Sequence, residues 1–161
     1  MNTGGEPMRE IADLEGIENI VGTVGVDYLR GNSADNTFGY VGEASKTGLE
    51  QILGEGGNDT ADFSRFESAV WINLLFPSTE AWTQDDADAS TDSNPGTWRA
   101  IANLDSIENI TGTNQADFLG GDAGANIITA GAGDDRIAGS SGADTFIFAN
   151  DLAGSGAGAN V

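Results

Sequence analysis

Four contiguous nonamers run from Gly112 to Ile147 without a slip of register, and no other feature of the chain restricts its fold as sharply. They read GTNQADFLG, GDAGANIIT, AGAGDDRIA and GSSGADTFI. Position six holds Asp117, Asn126, Asp135 and Asp144, and position eight holds Leu119, Ile128, Ile137 and Phe146. A fixed short period belongs to solenoids, in which each unit buries its apolar residues only against its neighbours. One inward residue per nonamer makes a thin core, so the units need a further staple.

The array is half of a duplication. A shift of 90 residues lays Ile11–Asn36 on Ile101–Asn126, with 13 of those 26 positions identical. The nonamer ahead of the regular array keeps Glu108 at position six and Ile110 at position eight, and its counterpart in the first copy keeps Glu18 and Ile20. Two nonamers with Asp27 and Asn36 at position six follow, then an insertion from Tyr40 to Leu53, then a nonamer from Gly54 that contains Gly56 and Asp59. This divides the chain into a first module over 11–75 with the insertion at 40–53, an acidic loop linker over 76–100, a regular second module over 101–149 and a Gly/Ala-rich tail over 150–161. The alternation from Ala69 to Leu74 reads as a longer strand, and the acidic, turn-rich stretch Ser78–Gly96 as an exposed loop. The uncapped tail suggests a chain that continues past Val161.

Charge says what the staple is. With 26 acidic and 6 basic residues the formal charge is -20, which makes nucleic acid and anionic membranes implausible partners. Such repulsion opposes a compact state, while 39% hydrophobic residues is too many for a disordered acidic tail. Bound divalent cations reconcile the two. Cys and His are both absent, so thiolate and imidazole sites are excluded and hard oxygen donors remain, which suit calcium. There is no apolar run long enough for a membrane span, and Met1–Glu10 has neither the basic start nor the apolar stretch of a secretory signal.

The nonamers resemble the RTX (repeats-in-toxin) consensus G-G-x-G-x-D-x-U-x, with U a large apolar residue, a calcium-binding nonapeptide. The resemblance is good over Gly112–Ile147, partial over Gly22–Asp62 and absent from Phe63 to Ala100. It implies an all-β parallel β-roll or β-helix solenoid in which each nonamer forms a turn and a short strand, two nonamers complete a coil, and several Ca²⁺ ions lie between stacked turns. It also implies a non-enzymatic module of a larger bacterial protein, secreted by the type I route or held at the cell surface, folding where calcium is plentiful.

The residue types support that chemistry. Glycines at positions one and four are expected to supply positive φ and curl carbonyl oxygens toward a common point. The position-six carboxylate adds charge to a shell of oxygens. If alternate turns pair, Asp117 with Asp135 makes the best site, helped by Gly112, Gly131 and Gly133. Asn126 with Asp144 makes a second, among Gly121, Gly124, Gly139 and Gly142. Glu108 with Asn126, Asp27 with Asp59, and Glu18 with Asn36 are weaker candidates. Asp135 is expected to matter more than Asp59, whose turn the insertion would carry out of register.

Other chemistries fare worse. Asp86, Asp88, Ser90 and Asp92 have EF-hand spacing, but Thr91 and Thr97 stand where a glycine and a bidentate glutamate belong. The Gly-rich turns carry Asp instead of the lysine of a phosphate loop. Without His or Cys no ordinary catalytic constellation can be built, so no catalytic residue is assigned. Trp71, Trp82, Trp98, Tyr28 and Tyr40 would either plug solenoid ends or stack on sugar rings. A carbohydrate-binding module and a structural or adhesive spacer are therefore the rival readings, with extracellular polysaccharide as a possible partner.

Overall fold

A computed structural model describes residues 16–42, 48–84 and 98–148. Among them are thirteen strands and no helix: β1 (Asn19–Val21), β2 (Tyr28–Arg30), β3 (Thr37–Gly39), β4 (Glu50–Leu53), β5 (Thr60–Asp62), β6 (Val70–Asn73), β7 (Ala81–Thr83), β8 (Arg99–Asp105), β9 (Asn109–Thr111), β10 (Phe118–Gly120), β11 (Ile127–Thr129), β12 (Arg136–Ala138) and β13 (Thr145–Ile147). Most are three residues long because each nonamer extends only at its last three positions. The first six positions make the turn.

Successive nonamers alternate between two sheets. One has the order β1-β3-β5-β9-β11-β13, all parallel, and the other β12-β10-β6-β7-β8-β4-β2. In-register pairing then stacks every position-eight residue on its counterpart. Ile20, Phe38, Ala61, Ile110, Ile128 and Phe146 form one ladder. Leu29, Ile52 and Leu104 begin the second, and Ile72, Leu119 and Ile137 continue it. The central members are fully buried, whereas Phe146 at the end is 43% exposed. Burial of one such side chain is worth about 1.5–3 kcal/mol, so the interior stabilises each coil modestly and only while its neighbours are in place. Both sheets run on from the first copy into the second, through β5 against β9 and β4 against β8.

Two expectations need correction. The insertion after Tyr40 contains β4, so a strand of the second sheet lies where the repeat appeared to break. The stretch read as an exposed loop contains β7, which runs antiparallel between β6 and β8. Ala81, Thr83 and Gln84 are fully buried and Glu80 nearly so. Glu80 Oε2 accepts the Leu104 N–H at 2.7 Å and the Thr83 hydroxyl donates to the Ala69 carbonyl at 2.7 Å, while the Gln84 side-chain amide finds no hydrogen-bond partner among the described residues. Together β6 and β7 widen the second sheet by two strands. The rest of the loop, with its EF-hand-like aspartates, lies outside the described residues, as do 43–47 of the insertion, the first residues of the first module and the tail.

Candidate metal sites in the stacked turns

In six nonamers the position-six side chain closes over the first residue. At Gly112, Gly121, Gly139, Gly54, Gly22 and Gly31 an added Cβ would meet an oxygen of Asp117, Asn126, Asp144, Asp59, Asp27 or Asn36 respectively. Position one is thus glycine for space. None of these six residues has positive φ, which corrects the expected conformational role. Positive φ falls instead at positions two and four, and only in some turns.

Two kinds of turn result. In the first, position two carries a side-chain oxygen: Thr23, Asn32, Thr113 and Asp122. Its N–H donates to the position-six side chain, and its side chain accepts the N–H of position four, as in Thr113 N to Asp117 Oδ2 at 2.6 Å and Gln115 N to Thr113 Oγ1 at 3.0 Å. The same pair of bonds recurs at Thr23, Asn32 and Asp122. These turns are closed by their own side chains. In the second kind, positions two and four both have positive φ: Glu55 (72°) and Gly57 (117°), Gly131 (89°) and Gly133 (122°), Ser140 (69°) and Gly142 (122°). These are the open turns.

Every open turn stacks on a closed one two nonamers earlier, and three pairs share one geometry. The position-three N–H of the open turn donates to the position-two carbonyl of the closed turn: Ala132 to Thr113 at 3.2 Å, Ser141 to Asp122 at 3.4 Å and Gly56 to Asn32 at 3.1 Å. The position-six N–H of the closed turn donates to the open turn's aspartate: Asp117 to Asp135 Oδ1 at 3.0 Å, Asn126 to Asp144 Oδ1 at 3.0 Å and Asn36 to Asp59 Oδ1 at 2.7 Å. Between these bonds the closed turn points its position-four carbonyl at an open-turn glycine. A Cβ on Gly133, Gly142 or Gly57 would collide with Gln115 O, Gly124 O or Ala34 O.

The expected pairs Asp117/Asp135 and Asn126/Asp144 are therefore brought together. Glu108 and Asn126 meet through the Glu108 backbone carbonyl, which accepts from Asn126 Nδ2 at 2.7 Å, while the Glu108 carboxylate accepts the Asp59 N–H at 2.8 Å. Glu18 meets the strand after Asn36 only by its carbonyl, which accepts from Thr37 N at 2.6 Å, and its side chain is exposed. The Asp27/Asp59 pairing is wrong. Asp27 pairs with Glu50, whose Oε2 accepts its N–H, and Asp59 pairs with Asn36. Both of these pairs span 23 residues where the regular pairs span 18, so the insertion adds five residues to a coil that stays in register.

Burial makes Asp117, Asp135 and Asp59 hard to ionise without a cation. Burial pushes Asp117 up to about 7 despite N–H bonds from Val70 and Thr113, with the Asp135 charge adding to the rise. Asp135 is pushed up to about 6 by burial and by Asp134. Burial also raises Asp59, and Glu108 and Asp35 add to it. Asp59 Oδ2 is fully buried and accepts no hydrogen bond. A buried carboxylate oxygen in that state carries a desolvation cost that a bound cation removes. Among the described residues no three carboxylates converge, so the donor set is one or two carboxylates with backbone carbonyls. That set, all hard oxygen, fits calcium.

The sequence reading missed Gly57, Glu50 and the four residues that close turns at position two. Gly57 was open to view as a second position four. The recurrence of Thr, Asn or Asp at position two was also visible, since these side chains bond their own backbone two residues on. Residues 14–39 and 111–146 match the family model of the RTX calcium-binding nonapeptide repeat, in four copies. No curated protein matches the chain.

Proposed function

From the premise that this chain carries RTX calcium-binding nonapeptide repeats, we propose that it is a non-enzymatic β-roll module of a larger secreted or cell-surface bacterial protein, exported by the type I route and folded by calcium outside the cell. The observation that carries the reading is the threefold recurrence of one arrangement, a closed turn under an open turn with an aspartate at position six. Asp135, Asp144 and Asp59 supply the charge, and the carbonyls of the paired turns supply neutral oxygens. Asp59 belongs to this set although the family match stops at residue 39 and resumes at residue 111. Bound calcium would neutralise these carboxylates, of which Asp59 and Asp135 are buried, so its binding energy is also folding energy.

Calorimetric titration of the chelated chain, followed in parallel by far-ultraviolet circular dichroism, tests this. Three ions should bind at the described pairs with a simultaneous gain of β structure. A silent titration of an already folded chain would overturn the reading.

One observation favours a polysaccharide as an additional ligand. Arg136, Phe118, Trp71 and Trp82 stand opposite one another on adjacent strands of the second sheet. Phe118 stacks on Trp71 at 5.2 Å, and Arg136 lies 5.8 Å over the Phe118 ring. This places the tryptophans in the middle of the roll, not at its ends, where the sequence reading expected plugs. Half-buried rings stacked on one another along the sheet leave a strip of ring edges against which the apolar face of a sugar can lie. Retention of the chain on a polysaccharide column, lost with Trp71→Ala while calcium binding persists, would support this second reading.

A further inference from the structure

The tetrapeptide Ile-Glu-Asn-Ile occurs twice, at residues 17–20 and 107–110. Its two copies have the same backbone and opposite surroundings. In the second, Ile107, Asn109 and Ile110 are 4%, 8% and 1% exposed, because the coil 54–62 lies against them. β5 pairs with β9 there, Thr60 opposite Asn109, and the Glu108 carboxylate accepts the Asp59 N–H. In the first copy Ile17 is 39% exposed, Glu18 and Asn19 are exposed, and β1 forms the edge of its sheet. Even the preceding turn is reproduced: Gly16 and Ser106, 90 residues apart, have φ of 69° and 55°.

The opposite edge of that sheet is β13, and its coil copies the one that covers Ile107–Ile110. Coils 54–62 and 139–147 share Gly at position one, Gly at four, Asp at six and Thr at seven. They also share the open turn, with positive φ at positions two and four. One end of the roll therefore carries the donor surface of the internal junction, and the other end its acceptor. We propose that the β1 edge docks the last coil of a second copy of this chain, with β13 parallel to β1 in the register of β5 on β9. Thr145 then lies opposite Asn19, Phe146 opposite Ile20 and Ile147 opposite Val21, and the Asp144 N–H meets the Glu18 carboxylate. The contact covers Phe146 and Ile147, 43% and 45% exposed in one copy alone. Because donor and acceptor lie at opposite ends, the association is head-to-tail and does not close, so it lengthens the roll.

The proposal rests on the calcium reading only in that calcium folds the coils, and the two fail differently: circular dichroism reports folding, sedimentation reports stacking. Sedimentation velocity in calcium should show mass rising with concentration past that of a dimer. Val21→Pro removes an edge N–H: the Gly22 N–H and Glu18 carbonyl face β3, so by alternation the Val21 N–H faces outward. It should abolish the growth and leave the calcium-induced signal intact. Should it fail to fold, the chain's lack of cysteine allows a second test. Asn19→Cys/Thr145→Cys should oxidise to a ladder of linked chains in calcium and stay unlinked in chelator. A wild-type chain that remains monomeric at high concentration, growth that persists in a folded Val21→Pro variant, or a folded cysteine pair that forms no ladder would each overturn the proposal.

Discussion

At the scale of single residues, the carboxylates at position six decide both affinity and pH response. Asp59 had been ranked below Asp135 because of the insertion before it, yet its Oδ1 accepts the Asn36 N–H as Asp135 Oδ1 accepts the Asp117 N–H. Asp59→Ala and Asp135→Ala should therefore each weaken calcium binding by about 10–100-fold, the usual scale for losses around a metal. An isotherm unchanged by Asp59→Ala would remove its turn from the set. Protons compete for the same oxygens. Asp117 and Asp135 sit at about 7 and about 6 in the calcium-free fold, above the ordinary aspartate value. Between about pH 4 and pH 7 that fold holds more protons than the unfolded chain, so its stability falls as pH rises through this window. Calcium displaces those protons, and its affinity rises over the same range. Far-ultraviolet circular dichroism in chelator at pH 5 and pH 8, with calcium isotherms at both, checks the opposite signs. More β structure in chelator at pH 8 than at pH 5 would contradict them.

At the scale of the element, the two kinds of turn differ in backbone conformation at positions two and four. Ser140 holds φ of 69° without being glycine, a conformation that costs a non-glycine residue about 1–2 kcal/mol. Ser140→Gly should raise the stability of the calcium-bound chain by up to about 1 kcal/mol, since glycine's larger loss of entropy offsets part of the gain. Gly133→Ala should do the reverse and more, because its Cβ would collide with Gln115 O. Chemical denaturation in calcium reads both. The ladders that hold Ile128 and the pair Leu119 and Ile137, with the aspartates beside them, were legible because a strict period leaves one register for a parallel stack. The partner of Asp59 was not, because β4 hides in residues that keep only Gly48, Glu50 and Ile52 at repeat positions. β7 was hidden too: a three-residue strand flanked by Glu80 and Gln84 has no apolar period, and its burial comes from pairing with β6 and β8. Thr23, Asn32, Thr113 and Asp122 at position two pointed to turns closed by their own side chains, but Ser140 and Glu55 at position two of open turns show that this position alone does not separate the two kinds.

At the scale of the whole molecule, the chain carries 20 excess negative charges, and its described residues form a roll whose interior is two ladders wide. Two explanations of a calcium requirement then compete. In one, the cation only screens repulsion, and any electrolyte serves. In the other, it coordinates the buried oxygens of paired turns, and screening leaves the chain unfolded. Sodium chloride at 0.15 M shortens the Debye length to about 8 Å, which removes most of the repulsion between distant surface carboxylates. It does little for Asp59 Oδ2, which is buried away from the screening electrolyte and lacks a hydrogen bond. Nor does it lower the cost of ionising Asp117, whose largest component is burial. Sodium chloride with chelator should therefore fail to restore the β signal that calcium produces, at any concentration short of those that salt the chain out. Equal far-ultraviolet spectra under the two conditions would reduce calcium to a counter-charge, and the stacked turns would then have to be stable with their carboxylates protonated or unpaired.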